Sequence, residues 1–120
     1  MIPQLSPSNF ATWRDSAKAH SPNALPVVLD VREPWELQTA SVKPDGFTLL
    51  HIPMGEIQAR VAELQQVPGT SHPIACLCHH GARSQRVANF LAQSGFTEIV
   101  NLAGGIDAWS NEVDPGVAHY

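Results

Sequence analysis

Charge is sparse in this 120-residue chain: 15% of residues are charged, with 7 Lys and Arg against 11 Asp and Glu. A formal net charge of −4 argues against a nucleic-acid partner, which needs clustered basic residues. Long apolar runs are missing too. None approaches the roughly 18 residues of a membrane-spanning helix, so no membrane partner is expected. The opening segment Met1-Ile2-Pro3-Gln4-Leu5-Ser6-Pro7 lacks a basic stretch followed by an apolar one, and no signal peptide is expected. Cysteine is nearly absent. The two present, Cys76 and Cys78, stand too close together to staple a fold, which points to a reducing compartment, the cytoplasm, and to chemistry rather than scaffolding. No internal repeat is found, so residues 1–120 are expected to form one domain, long enough to bury roughly two-thirds of its unfolded surface.

What is there is an alternation of short apolar runs and helical patterns. Ser6-Pro7 has the chemistry of a helix start, with Phe10, Trp13 and Ala17 on one face. His20 to Pro26 reads as a loop, and Val27 to Leu29 as a strand ending at Asp30. Pro34 opens a short helix through Trp35 and Leu37, and Lys43-Pro44-Asp45-Gly46 is a turn. Phe47 to Ile52 is a further strand. Glu56 to Val67 is an amphipathic helix stopped by Pro68-Gly69. Ile74 to Leu77 and Glu98 to Leu102 are strands on either side of a helix over Arg83 to Ala92. A short helix carries Ile106 and Trp109, and the tail from Glu112 reads as irregular. This pattern predicts an α/β fold with a mostly parallel sheet and helices on both faces. Ligands bind such sheets at the carboxyl ends of the strands. Asp30 and Cys78, each at the end of a strand, belong on that rim.

The segment Cys78-His79-His80-Gly81-Ala82-Arg83-Ser84 therefore places a thiol in a tight turn between a buried strand and a helix N-terminus. Helix starts carry unpaired N–H groups and a positive dipole end, which stabilise a thiolate or any other anion held there. The thiolate is the nucleophilic form. Gly81 suits a turn that needs a positive φ or a close backbone approach.

Four segments, in order, resemble the rhodanese (sulfurtransferase) domain, in its small single-domain bacterial form. They are Asp30-Val31-Arg32-Glu33-Pro34-Trp35-Glu36, His51-Ile52-Pro53-Met54, the Cys78 to Ser84 turn, and Leu102-Ala103-Gly104-Gly105-Ile106-Asp107-Ala108-Trp109. The resemblance implies a three-layer fold around a five-stranded, mostly parallel sheet. It also implies a cysteine, Cys78, that carries sulfur as a persulfide, moving it from thiosulfate or a similar donor to cyanide or a thiol. No cofactor is implied. Partners would be those small molecules and a thioredoxin-like or other sulfur-carrier protein. The span from Cys78 to Arg83 is six residues, one shorter than the Cys-x5-Arg loop of phosphatases sharing the fold, and suits a single outer sulfur better than a phosphoryl group.

On this reading the backbone N–H groups of His79, His80, Gly81, Ala82, Arg83 and Ser84 surround the persulfide as an oxyanion hole would. Arg83 has two readings, holding an anionic donor or bracing the turn against a carboxylate such as Asp30. His79 and His80 either add positive charge at the pocket mouth or simply face solvent. Asp30 and Arg32 are supporting residues that tie their strand end to a neighbouring loop. Cys76 reads as a small buried hydrophobe. Trp35 reads as packing or pocket rim, His51 as a satisfied buried histidine and Trp109 as core. The competing functions are a catalytically quiet rhodanese-like binding or regulatory module, a phosphatase or arsenate reductase, and metal binding by Cys76, Cys78, His79 and His80. The expected metal set is none, because that run of four does not converge on a tetrahedral centre.

Overall fold

The computed structural model of the chain describes residues 2–20, 25–65 and 73–120. The loop residues 21–24, the expected helix end at Val67 and its stop at Pro68-Gly69 lie outside the described residues. Five strands, β1 (Gln4–Leu5), β2 (Val27–Asp30), β3 (Thr48–His51), β4 (Ile74–Leu77) and β5 (Ile99–Leu102), form one sheet in the order β1-β5-β4-β2-β3. Every pairing is parallel. The helices are α1 (Phe10–His20), α2 (Pro34–Thr39), α3 (Ile57–Gln65), α4 (Ala82–Gln93) and α5 (Gly105–Glu112). No helix among the described residues is long and apolar enough to cross a membrane.

The central strands are buried along their whole length, because a parallel sheet covered on both faces has no solvent side. Side-chain alternation then divides the core in two. Val27, Leu29, Ile74 and Cys76 pack with Ile57 and Leu64 of α3 and Val87 and Leu91 of α4. Val28, Ala75, Leu77 and Leu102 pack on the other face with Phe10, Phe47, Ile106 and Trp109. Phe10 meets Phe47 and Trp109 edge-on, at centroid distances of 5.3 and 4.9 Å, the arrangement that the ring quadrupoles favour.

Two local readings need correction. The sequence pattern reveals four strands, and the fifth, β1, is only two residues long, too short for any periodicity. It exists because Gln4 and Leu5 pair with Asn101 and Leu102 of β5. Ser6 does stand before a 3-10 turn, Pro7–Asn9, that leads into α1, but its hydroxyl meets Ser8 Oγ at 3.1 Å and caps no helix N–H.

The strand order locates the crevice. The connection after β2 leads outward to β3, and that after β4 leads the opposite way to β5. The carboxyl ends of β2 and β4 therefore flank the switch point of the sheet. At the β2 end sit Asp30 and Arg32, both with 0% exposure. The Arg32 guanidinium donates to Asp30 through Nε at 2.9 Å and Nη2 at 2.8 Å. It also donates to the carbonyls of Glu36 at 3.3 Å and Ala40 at 2.8 Å, fixing α2 to the strand.

Removing the guanidinium leaves a buried carboxylate without its counter-ion. Arg32→Met should therefore lower the unfolding free energy by about 3–5 kcal/mol. Urea melts check this: the midpoint should fall with the m-value unchanged, and an unshifted midpoint would show that the ion network does not support the fold.

Candidate active site

Cys78 follows β4 directly and is buried, with 1% exposure. Three residues later Gly81 takes φ 105° and its N–H turns back onto the sulfur, 3.0 Å from Sγ. That conformation favours glycine, and it also closes the turn so that α4 can begin at Ala82. The helix start faces the thiol as the sequence pattern requires. The Ser84 hydroxyl lies 3.3 Å from Sγ, 3.3 Å from the Gly81 carbonyl and 2.5 Å from Asn101 Oδ1. A hydroxyl has one proton to give, and the shortest contact takes it. Gly81 N–H is then the direct donor to the sulfur, and Ser84 is an oriented neighbour.

Asn101, almost fully buried on β5, holds this arrangement together. Its Nδ2 donates to the Gly81 carbonyl at 3.2 Å and to Gln4 Oε1 at 3.0 Å. The turn is clamped from the other side by α5. Ile106 N–H donates to the Cys78 carbonyl at 2.8 Å, and Asp107 N–H to the His79 carbonyl at 3.2 Å. Unpaired donors of a helix start are thereby matched to unpaired acceptors of the turn. The approach is close enough that a Cβ on Gly105, whose φ is +62°, would lie 2.4 Å from both carbonyl oxygens.

Arg83 pairs with Glu36, not with Asp30. Nη1 and Nη2 reach the two carboxylate oxygens at 2.7 and 2.8 Å, a bidentate bridge from α4 to α2. Asp30 is already occupied by Arg32. Glu36 also accepts from the Glu33 N–H at 2.8 Å and the Tyr120 hydroxyl at 2.9 Å. Led by the Arg83 bonds and opposed by burial, these partners bring the Glu36 carboxyl from an ordinary 4.5 down to about 2.

Tyr120 has no counterpart in the sequence reading, which left the tail as irregular chain. Glu112 still belongs to α5, and the tail beyond it lacks helix and strand, yet Tyr120 enters the site. The Tyr120 hydroxyl accepts from Arg32 Nη1 at 2.9 Å while donating to Glu36. Its ring stacks on His79 at 3.9 Å with 5° between planes, and His79 stacks in turn on His80 at 3.9 Å. His79 is therefore half-buried, and only His80 is exposed. Burial, with His80 beside it, pushes the His79 imidazole below its ordinary pKa and favours the neutral ring. His79 Nε2 is buried with no hydrogen-bond partner.

The remaining candidates fall into place. Cys76 is fully buried in the core, and burial, with Cys78 nearby, pushes its thiol up to about 12. Both cysteines are free thiols. The set Cys76, Cys78, His79 and His80 is not brought together. Instead His79, His80 and Asp107 offer ligand atoms within 4.8 Å of one another. His51 is half-buried, its Nε2 2.7 Å from the Arg32 carbonyl, and Trp109 is core. Trp35 is not packed inside: it is 61% exposed, and its ring meets that of Tyr120 in a T-shaped contact at 6.2 Å. Glu36, Asn101, Asp107 and Tyr120 were missed as site residues. A polar Asn101 in an otherwise apolar strand was the one signal that the sequence offered.

Comparison with known proteins gives consistent matches. The family model described as a rhodanese-like domain matches residues 14–112. A sulfurtransferase of Allochromatium vinosum is 33% identical over 92 residues, covering 77% of this chain and 78% of that protein. Thiosulfate sulfurtransferase GlpE of Pseudoalteromonas translucida is 31% identical, covering 69% of this chain and 71% of its own. The crystal structure of a rhodanese-related protein from Thermoplasma volcanium superposes with a TM-score of 0.72 at 28% identity, covering 99% of this chain and 100% of that one. Other curated relatives are longer: the chain spans 30% of an Arabidopsis thaliana relative and 54% of a Bacillus subtilis one.

Two outcomes follow from this geometry. A carboxyl held below its ordinary value stabilises the fold fully above that value and loses the contribution as it protonates. Stability should thus fall as pH drops from 4.5 toward about 2, and Glu36→Gln should flatten that fall in urea midpoints taken across the window. An equally steep fall in the variant would assign the acid sensitivity elsewhere. Gly105→Ala should cost more than about 1 kcal/mol, whereas Gly55→Ala, where an added Cβ meets nothing within 4 Å, should be much milder. Thermal midpoints of the two variants decide it.

Proposed function

Because this chain belongs to the rhodanese-like domain family, we propose that it is a sulfurtransferase working through a Cys78 persulfide. The observation that carries the reading is the Cys78 sulfur at the start of α4, with the Gly81 N–H pointing at it from 3.0 Å. In the first step the Cys78 thiolate attacks the outer sulfur of thiosulfate. The S–S bond of the donor breaks, and its electron pair leaves with sulfite. In the second step an acceptor nucleophile, cyanide or a small thiol, attacks the outer sulfur of the persulfide. The new S–S bond breaks and the thiolate is regenerated. With cyanide the product is thiocyanate. Splitting the transfer in two predicts ping-pong kinetics.

Each neighbour has a role consistent with its geometry. Gly81 N–H, with the other N–H groups of residues 79–84, stabilises negative charge on the outer sulfur without reorganisation. Ser84 and Asn101 hold the turn in register. Arg83 acts as a positioning residue, since the Glu36 bridge takes both of its terminal nitrogens. The near-complete burial of Cys78 favours delivery of one atom into the turn over entry of a phosphoryl group with its oxygen shell. Two free thiols fit work in a reducing compartment such as the cytoplasm. A sulfur-carrier or thioredoxin-like protein is a fitting acceptor where the persulfide is passed on to protein.

Intact mass tests the relay. After incubation with thiosulfate the chain should gain one sulfur atom, cyanide should remove it, and Cys78→Ser should show no gain. A Cys78→Ser chain that retains more than a few per cent of wild-type transfer activity would sink the covalent route.

A further inference from the structure

Beyond the thiol, one cluster of donor atoms has no place in the relay. His79, His80 and Asp107 bring one ligand atom each to within 4.8 Å of one another. They come from two elements, the Cys78 turn and the first turn of α5, which the Asp107 N–H bond to the His79 carbonyl, at 3.2 Å, holds together. We propose that these three residues form a binding site for a divalent transition cation, zinc being the fitting ion, at the mouth of the Cys78 turn.

Three features support the site. His79 Nε2 is buried without a hydrogen-bond partner, so a buried lone pair or N–H in this place has nothing from the protein to satisfy it. The His79 ring is fixed by its stack on Tyr120, at 3.9 Å and 5°. Asp107 is oriented from behind: His119 Nδ1 lies 2.9 Å from its Oδ1, and His119 Nε2 lies 3.1 Å from Ser110 Oγ, which itself donates to the Val117 carbonyl at 2.6 Å. Such outer hydrogen bonds orient metal-binding side chains. One adjustment is required. In the described geometry His80 stacks on His79 with 24° between planes, and converging both rings on one ion requires the exposed His80 side chain to turn.

The donor set decides the class of ion. Two imidazoles and one carboxylate match zinc bound by three protein ligands with a fourth position open. Calcium and magnesium call for more oxygen donors than one carboxylate supplies. A cation here would set a fixed positive charge beside the entrance to Cys78, where an anionic sulfur donor arrives.

The test uses the untagged Cys78→Ser chain, which removes Cys78 as a competing thiolate ligand and makes the result independent of the sulfur-transfer reading. Titration with zinc against a chromogenic chelator should show one site per chain. His80→Ala, at an exposed position, and Asp107→Asn, at a half-buried one, should each weaken it by about tenfold or more, and His119→Gln should weaken it by a factor within roughly 10–100. Cobalt should give the visible absorption of a low-coordinate site, lost in Asp107→Asn. Circular dichroism confirms that each variant is folded. No saturable site in Cys78→Ser, or the same affinity in a chain lacking both His80 and Asp107, overturns the proposal.

Discussion

The turn from Cys78 to Gly81 exists because two helix starts converge on it with unpaired N–H groups. The first turn of α4 leads off behind the sulfur, and the first turn of α5 takes up the carbonyls of Cys78 and His79. A loop that buries a thiol at the end of a central strand would otherwise strand its own acceptors away from water. The requirement reaches outward from there. α5 can sit so close only because Gly105 carries no Cβ. α4 can begin so abruptly only because Gly81 accepts a positive φ.

Around this turn the protein keeps an unusual amount of buried charge. Asp30 and Arg32 lie under the crevice, while Glu36 and Arg83 bridge its side. Tyr120 joins the two pairs through one hydroxyl. Buried ion pairs contribute little net stability, since desolvation offsets most of their attraction. Their contribution here is positional. Two carbonyls, two carboxylates and the Tyr120 hydroxyl fix the guanidiniums, and through them α2, α4 and the tail are held in register with the strand ends that carry the chemistry.

Much of this was legible in the residues. Apolar runs such as Val27-Val28-Leu29 and Ile74 to Leu77 identify strands buried on both faces, and their alternation with helical patterns gives a parallel α/β sheet. The Cys78 turn stands out because a thiol, a glycine and a helix start are local features, adjacent in sequence. β1 was not legible: a two-residue strand has no period, and only its pairing with β5 defines it. Nor was the partner of Arg83. Asp30 and Glu36 both precede it by many residues, and which carboxylate it meets depends on Arg32 having taken the first. Trp35 reads from the sequence as packing or pocket rim, and only the fold rules out packing. The capping geometry of α2 turns its neighbour Glu36 inward instead.

The sequence by itself determined the layer order, the buried strands, the position of the thiol at the rim of the sheet and the one glycine, Gly81, that lets the turn close. All of these follow from interactions among residues a few positions apart. Only the tertiary structure decided which distant groups brace the Cys78 turn: Asn101 from β5, Asp107 from α5, Glu36 from α2 and Tyr120 from the tail. Their placement rests on hydrogen bonds that span as many as 97 residues. Such bonds leave no periodic trace in the chain, because a polar side chain chooses its partner by distance and burial after the sheet has assembled.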